Sequence, residues 1–298
     1  MPTNLFLLQM LSMIIDMEFN DGLTILIPVY QDSEYLSETI QSVKNFTSQE
    51  VEIVVVEDGP SFKVNQKIAT EEKVKYIFHS ANVGISGNFN RCIDITTSSF
   101  YLIIGPDDRL VPNPTKHLEE ELHTLENGRN NKVIYYLPTR VINEHGYVKK
   151  SLRELFKYIL KSLDDVTFHK LQFETILLGY WLYSPSIIWP NNMIKSYYYS
   201  PEYAMAADFH RVARYLMNGY QFRELKTSAY LEYRRHPNSE SASPMNRTRV
   251  REEEILIFGE ARKYMISQKK LIGLGLTYIQ FSSRLASLIT IANNKRIK

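Results

Sequence analysis

Cysteine is nearly missing from this chain. Cys92 stands alone among 298 residues, so no internal disulfide closes and no cysteine-cluster metal site forms, which suits a reducing compartment. Glycine is also sparse, at 12 residues, and neither a GxGxxG nor a GxxxxGK[ST] stretch occurs, which removes a dinucleotide fingerprint and a P-loop. No internal repeat or low-complexity tract is present. The apolar stretch Leu5 to Ile15 has no basic residue before it and no small-residue cleavage site after it, and it falls short of the roughly 20 residues that cross a bilayer. It reads as a short extra helix or as translation from an upstream start, with Met17 the natural first residue, and a cytoplasmic protein is expected.

An excess of one charge is lacking too, since 35 basic residues face 33 acidic ones for a net +2. The balance hides an asymmetry. From Lys269 onward there are six basic residues and no acidic one, leaving −4 on the first 268. That pattern argues against a nucleic-acid-binding body and for a basic tail. In the tail Leu271, Leu274, Tyr278, Phe281, Leu285, Leu288 and Ala292 recur at helical spacing. Such a helix either packs on its own domain or on a second copy, or lies on an anionic membrane surface.

What is abundant is tyrosine, with 20 residues whose flat faces and polar tips suit sugars, nucleobases or half-buried surface. LTILIPV (23–29) is an apolar run fit for a strand buried on both faces, followed by a helix with Leu36, Ile40, Val43 and Phe46 on one side. VEIVVVE, VKYIFH and FYLIIG repeat the strand signal with helical stretches between them. Alternation of this kind gives right-handed crossovers and a doubly wound, mostly parallel α/β sheet, whose ligands bind beyond the carboxyl ends of the strands. The later part reads as a strand and hairpin over 133–148, two short helices over 151–178, an aromatic stretch GYWLYSPSIIWP that is either substrate-facing or packing, and a helix from about Tyr203 to Asn218 closed by Gly219.

Acids collect at the predicted strand ends: Asp32 after the first strand, Glu57 and Asp58 at the second, Asp107 and Asp108 after the fourth. One such acid is a turn or cap. Several at one edge raise each other's ionisation cost unless a cation or hydrogen-bond donor is there, which points to a divalent metal or a phosphate-bearing ligand. On its own, Asp208 near the start of the late helix does no more than favour the dipole and pair with Arg211.

Taken in order, five stretches resemble the inverting family 2 glycosyltransferases of GT-A fold. They are LTILIPVYQDSEYL, VEIVVVEDGPS, ANVGISGNFNRCI, FYLIIGPDDRLVP, and AADFHRVARYLMNGY with LEYRRHPNSES. The chain departs from the pattern at Gln31 (asparagine is usual), Glu57 and Pro60 (aspartate and serine), Gly105 (the first aspartate of D-x-D) and Ala207 (an acid). The resemblance implies a GT-A domain, with nucleotide-sugar binding in 21–120 and acceptor binding in 121–245, between an N-terminal extension (1–20) and a helical C-terminal region (246–298). It implies a UDP- or dTDP-sugar donor, a hydroxyl acceptor on a glycan or lipid carrier, and a role in cell-surface polysaccharide synthesis.

By the same carry-over, Glu57 and Asp58 grip the nucleoside, Pro28 and Tyr30 shape the base pocket, and Asn82, Gly84 and Asn88 follow the ribose–phosphate track. Gly84 has a plain turn as its alternative. Asp107, which also faces the nucleotide, falls at the position that holds Mn²⁺ or Mg²⁺, with Asp108 beside it. His236 either approaches the metal or is an ordinary surface histidine. Asp208 becomes the general base. Two rival readings are a sugar nucleotidyltransferase, which would carry a glycine-rich phosphate loop after the first strand, and a non-catalytic binding protein of the same fold.

Overall fold

The computed structural model describes residues 20–46, 51–60, 63–113, 132–191, 197–237, 244–270, 273–275 and 277. The first half alternates as the apolar runs predict: β1 (Asn20–Val29), α1 (Leu36–Phe46), β2 (Glu52–Glu57), α2 (Lys63–Glu71), β3 (Lys75–Phe78), α3 (Gly84–Asp94) and β4 (Ser98–Ile103). Then come β5 (Arg109–Val111), β6 (Val133–Tyr136), β7 (Thr139–Asn143), α4 (Leu152–Val166), α5 (Gln172–Leu178), a 3-10 turn (Ser184–Ser186), β8 (Ile187–Pro190), α6 (Ala207–Met217), β9 (Gln221–Glu224), β10 (Tyr230–Arg235) and α7 (Pro244–Ser267). The expected apolar segment 5–15 and nearly all of the tail stripe lie outside the described residues.

A seven-stranded sheet runs β3-β2-β1-β4-β8-β6-β9, with β8 antiparallel to β4 and β6 and the other neighbours parallel. A three-stranded sheet, β5-β10-β7, stands beside it. Alternate residues of the central strands feed two cores. Leu26, Val54, Val56, Tyr101 and Ile103 pack on one face with α6 and α7, while Ile25, Ile27, Val55, Leu102 and Ile104 pack on the other with α1. The aromatic stretch 179–190 resolves into packing: Trp181 and Trp189 are buried, and β8 lies in mid-sheet paired with Phe100–Leu102. The expected hairpin over 133–148 is split, since β6 and β7 enter different sheets and only an Ile142–Val148 bridge closes a tight return.

The late helix begins at Ala207 rather than Tyr203. The backbone N–H groups of Ala204, Met205 and Ala206 instead donate to the Glu253 carboxylate of α7, at 3.0, 2.8 and 2.7 Å. An anion at a helix N-terminus satisfies donors that the helix itself leaves free. Tyr203 continues the joint by donating to Glu260 at 2.8 Å and stacking on His210 at 3.9 Å. Glu253→Ala is therefore expected to cost about 2–3 kcal/mol, because three N–H groups lose a charged acceptor. Thermal unfolding reads this as a lowered midpoint; an unchanged midpoint would mean that α7 does not hold the start of α6.

Candidate active site

The site is assembled at the carboxyl ends of β1, β2 and β4. Val29 ends β1 opposite Glu57. Pro28 is half-buried beneath the rim and the Tyr30 ring stands 49% exposed on it. Gln31 follows with φ 66°, a left-handed backbone that suits asparagine or glycine better than glutamine. Asn65 of α2 holds it there, donating Nδ2–H to the Gln31 carbonyl at 2.8 Å and to Glu57 Oε2 at 2.7 Å, and accepting the Ser33 N–H at 3.3 Å. Glu57 itself is fully enclosed, its Oε1 has no hydrogen-bond partner, and burial lifts its carboxyl above the usual range.

Asp58 is buried and its Oδ1 accepts the Val83 N–H at 2.7 Å, which ties the loop before α3 to the end of β2. In that loop Asn82 is exposed and its Oδ1 accepts the Gly84 N–H at 2.8 Å. Gly84 has φ 77° with open space beside it. Asn88 turns inward: it is buried, and its Nδ2–H donates to the Val56 carbonyl at 3.1 Å. Tyr30, Asn82 and Gly84 are thus the predicted rim positions that reach solvent.

The turn after β4 carries the acids. Asp108 is buried, and its Oδ1 accepts the Arg234 N–H of β10 at 2.9 Å. Burial, then the neighbouring Asp107 charge, holds the Asp108 carboxyl well above its ordinary range. The Arg234 side chain binds the Asp107 carbonyl at 2.7 Å, the Glu144 carbonyl at 3.1 Å and Glu38 at 2.7 Å, with the Tyr35 ring 4.4 Å from its guanidinium. Asp107 is partly open, and its Oδ2 lies 2.9 Å from His236 Nε2. The sequence contained Arg234 within the YRRH stretch but gave no sign that it would be the hub of this turn.

Gly105 has a local reason. A Cβ there would stand 2.7 Å from Asp107 Oδ1 and 2.9 Å from Asp108 Oδ2, so the two carboxylates close over the space that a side chain would fill. A side chain at 105 would push at least one of these carboxylates aside. The converging oxygens fit a hard divalent cation that takes few protein ligands and completes its shell with water and phosphate oxygens. Among the described residues a second trio of ligand type, Asp164, Asp165 and His169, has its candidate atoms within 4.8 Å of one another and could hold an ion. Asp164 Oδ2 is already shared by His169 Nδ1 and Gln172 Nε2, each at 2.7 Å, and Gln172 also clamps the Phe222 backbone.

Asp208 sits in the first turn of α6, partly open to solvent, with Oδ1 lacking a hydrogen-bond partner. Burial raises its carboxyl above the usual range, while side-chain hydrogen bonds from Ser184 and Tyr199 and the charge of Arg211 pull the other way. Arg211 is committed to the core, donating to the Tyr101 hydroxyl at 2.7 Å and the Tyr197 carbonyl at 3.1 Å, with the Trp189 ring 4.0 Å away. Tyrosines crowd both carboxylate groups, and Tyr233 packs 5.1 Å from Tyr183. Tyr233 feels Asp108 and Asp107, and its hydroxyl is pushed up to about 12, chiefly by burial. Tyr180 feels both Tyr233 and Asp208 and stacks on Phe209 of α6 at 5.4 Å. Tyr180 and Ser184 belong to the aromatic stretch and Tyr233 to the LEYRRHPNSES stretch, but neither stretch gave them an individual role.

Known proteins resemble this chain in sequence and in fold. A family model described as glycosyl transferase family 2 matches residues 24–185. An uncharacterized glycosyltransferase of Methanocaldococcus jannaschii is 23% identical over 223 residues, covering 71% of this chain and 70% of that protein. One from Rickettsia typhi is 27% identical over 193 residues, 64% of this chain and 59% of its own length. Among solved structures, S. aureus TarS superposes with a TM-score of 0.53 at 18% identity over 80% of this chain and 39% of that one. TarS 1–349 in complex with UDP-GlcNAc gives 0.51 at 18% identity, covering 80% of this chain and 66% of that one. The mostly parallel sheet flanked by helices is the GT-A architecture of those structures, and glycosyltransferases of this family generally use divalent metals. The chain belongs to glycosyl transferase family 2.

Proposed function

We propose that the protein transfers a sugar from a UDP- or dTDP-sugar to the hydroxyl of a glycan or lipid-linked acceptor, with inversion, in cell-surface polysaccharide synthesis at the cytoplasmic side. The observation that carries the reading is the turn after β4, where the Asp107 and Asp108 carboxylates converge over Gly105 at the carboxyl-end rim of the sheet. The UDP and UDP-GlcNAc named in the TarS complexes support a nucleotide-sugar donor.

In this reading Pro28, Tyr30, Asp58, Asn82 and Gly84 frame the nucleoside, the Tyr30 ring offering a stacking face. Glu57 and Asn88 act from beneath, the first by fixing Asn65 and Gln31, the second by pinning α3 to β2. Asp107 and Asp108, with His236 steadying Asp107, would hold Mn²⁺ or Mg²⁺, which neutralises charge on the departing diphosphate. Asp208 takes the acceptor hydroxyl proton. The freed oxygen bonds to the anomeric carbon from the face opposite the diphosphate, whose bond to that carbon breaks as the nucleoside diphosphate leaves. Holding donor and acceptor together replaces a random encounter of the two.

Asp208→Asn is expected to lower the turnover rate by about 10²–10⁴-fold, the span for loss of a positioned base. The base works only when ionised. Because burial raises its pKa, the wild-type rate should fall as pH drops through a value above that of an exposed aspartate, and the variant should lack this limb. Full turnover by the variant would remove Asp208 from the mechanism. Separately, Asp107→Ala should abolish Mn²⁺-stimulated release of UDP or dTDP from a donor panel while leaving the unfolding midpoint near that of the wild type. Retained Mn²⁺ stimulation would place the cation elsewhere, for which Asp164→Asn is the companion variant.

A further inference from the structure

The helix α4 turns its apolar side outward. Inward it packs through little: Leu160 and Asp164 are buried, and Leu160 and Phe156 close on Gly179. Leu152, Leu155, Tyr158, Ile159, Leu163 and Val166 are all exposed, Leu152 by 73% and Val166 by 69%. At helical spacing these six share one arc of about 140°, and Ser162 is the one other residue on it, so the arc carries no charge. Exposed apolar residues continue at both ends, with Val148 before the helix and Phe168 after it. An amphipathic helix ordinarily turns such an arc to the core, and a contiguous apolar surface left in water marks a place of contact. The first half of the face borders a cavity of about 660 Å³, which Val148 and the buried Leu182 also line.

The charges around this face are of one available sign. Its acids are occupied: Glu154 pairs with Arg235 at 3.2 Å, Asp165 with Lys161 at 3.1 Å, and Asp164 is buried against His169 at 2.7 Å. Glu224, on the cavity wall, also pairs with Lys161, at 3.3 Å. Lys149 and Lys150 before the helix and Lys170 after it are exposed and make no ion pair among the described residues. An uncharged arc with free cations at both ends complements a surface that is apolar within and negative at its edge. A second copy does not offer that, because either sense of a two-fold pairing sets cations against cations. The chain's own tail does not offer it either, since from Lys269 onward its six charges are all basic.

We infer that α4 docks the protein on an anionic lipid bilayer, lying in the interface with its apolar arc among the acyl chains and Lys149, Lys150 and Lys170 at the headgroups. Tyr158 is of the type that favours this depth. Among the described residues no helix is long and apolar enough to cross a membrane, so the contact is superficial. Arg235, the partner of Glu154, precedes His236, which meets Asp107 at 2.9 Å, and this ties the docked helix to the turn after β4.

Flotation of the full chain with vesicles of phosphatidylcholine alone, or with about one third phosphatidylglycerol, reads the docking. The wild type is expected to bind the anionic vesicles at least about tenfold better than the neutral ones, and progressively less as salt rises from about 0.1 to 1 M. Leu155→Gln combined with Ile159→Gln should weaken binding about tenfold or more, and Lys149→Gln combined with Lys150→Gln by about tenfold, with unfolding midpoints near that of the wild type. A wild type that floats with neither kind of vesicle, or equally with both, would overturn the inference. Undiminished binding by the Leu155 and Ile159 variant would move the contact to another surface, the basic tail included, and overturn it too. A dimer in sedimentation velocity that this variant dissolves, without vesicle binding, would give the face to a second copy. Vesicle binding needs no donor, so the transferase reading fails separately, as a protein that neither binds UDP nor hydrolyses any donor.

Discussion

A carboxylate with almost no access to water, Asp108, fixes the rest of the site. Burying an ionisable acid is costly unless donors reach it, and here they come from the N–H of Arg234 on β10 and from the backbone of Gly105. The small sheet must therefore meet the end of β4 at this point. Once β10 is there, the Arg234 guanidinium gathers Glu38, Glu144 and the Asp107 carbonyl, and His236, two residues on, meets the Asp107 carboxylate. Arg109 shares Glu38 and reaches Glu232, so the same joint braces α1. Removing the side chain at 105 is what lets both acids close over the turn.

The legible part of the fold is the part written in local pattern. β1, β2 and β4 are short apolar runs that report their own burial, while β3 is an edge strand left exposed or half-buried. β8 escaped because IIWP, with aromatics and a proline around it, looks like a turn. Its identity as a strand comes from pairing with residues nearly ninety positions earlier, which no window can see. The start of α6 was placed four residues early for the same kind of reason, since the donors of 204–206 are satisfied by a carboxylate almost fifty residues away. At the site, the acids at the strand ends were visible as a group. Their unequal circumstances were not: Glu57 is enclosed, Asp58 is spent on a loop, and Asp107 is left partly open.

The surplus of tyrosine finds its explanation in two places. Around Arg211, the hydroxyl of Tyr101 and the rings of Tyr199, Tyr215 and Trp189 accommodate a buried cation with flat faces and one strong acceptor. Beside β10, the Tyr183 and Tyr233 rings pack 5.1 Å apart and the Lys157 ammonium stands 3.9 Å from the Tyr183 ring.

The contact from Glu253 to the head of α6 also orders events in time. A chain leaving the ribosome can complete the sheet through β10 while α7 is still inside the exit tunnel. Until α7 emerges, the three backbone N–H groups just before α6 lack the carboxylate that holds them, so the head of α6 settles after the sheet.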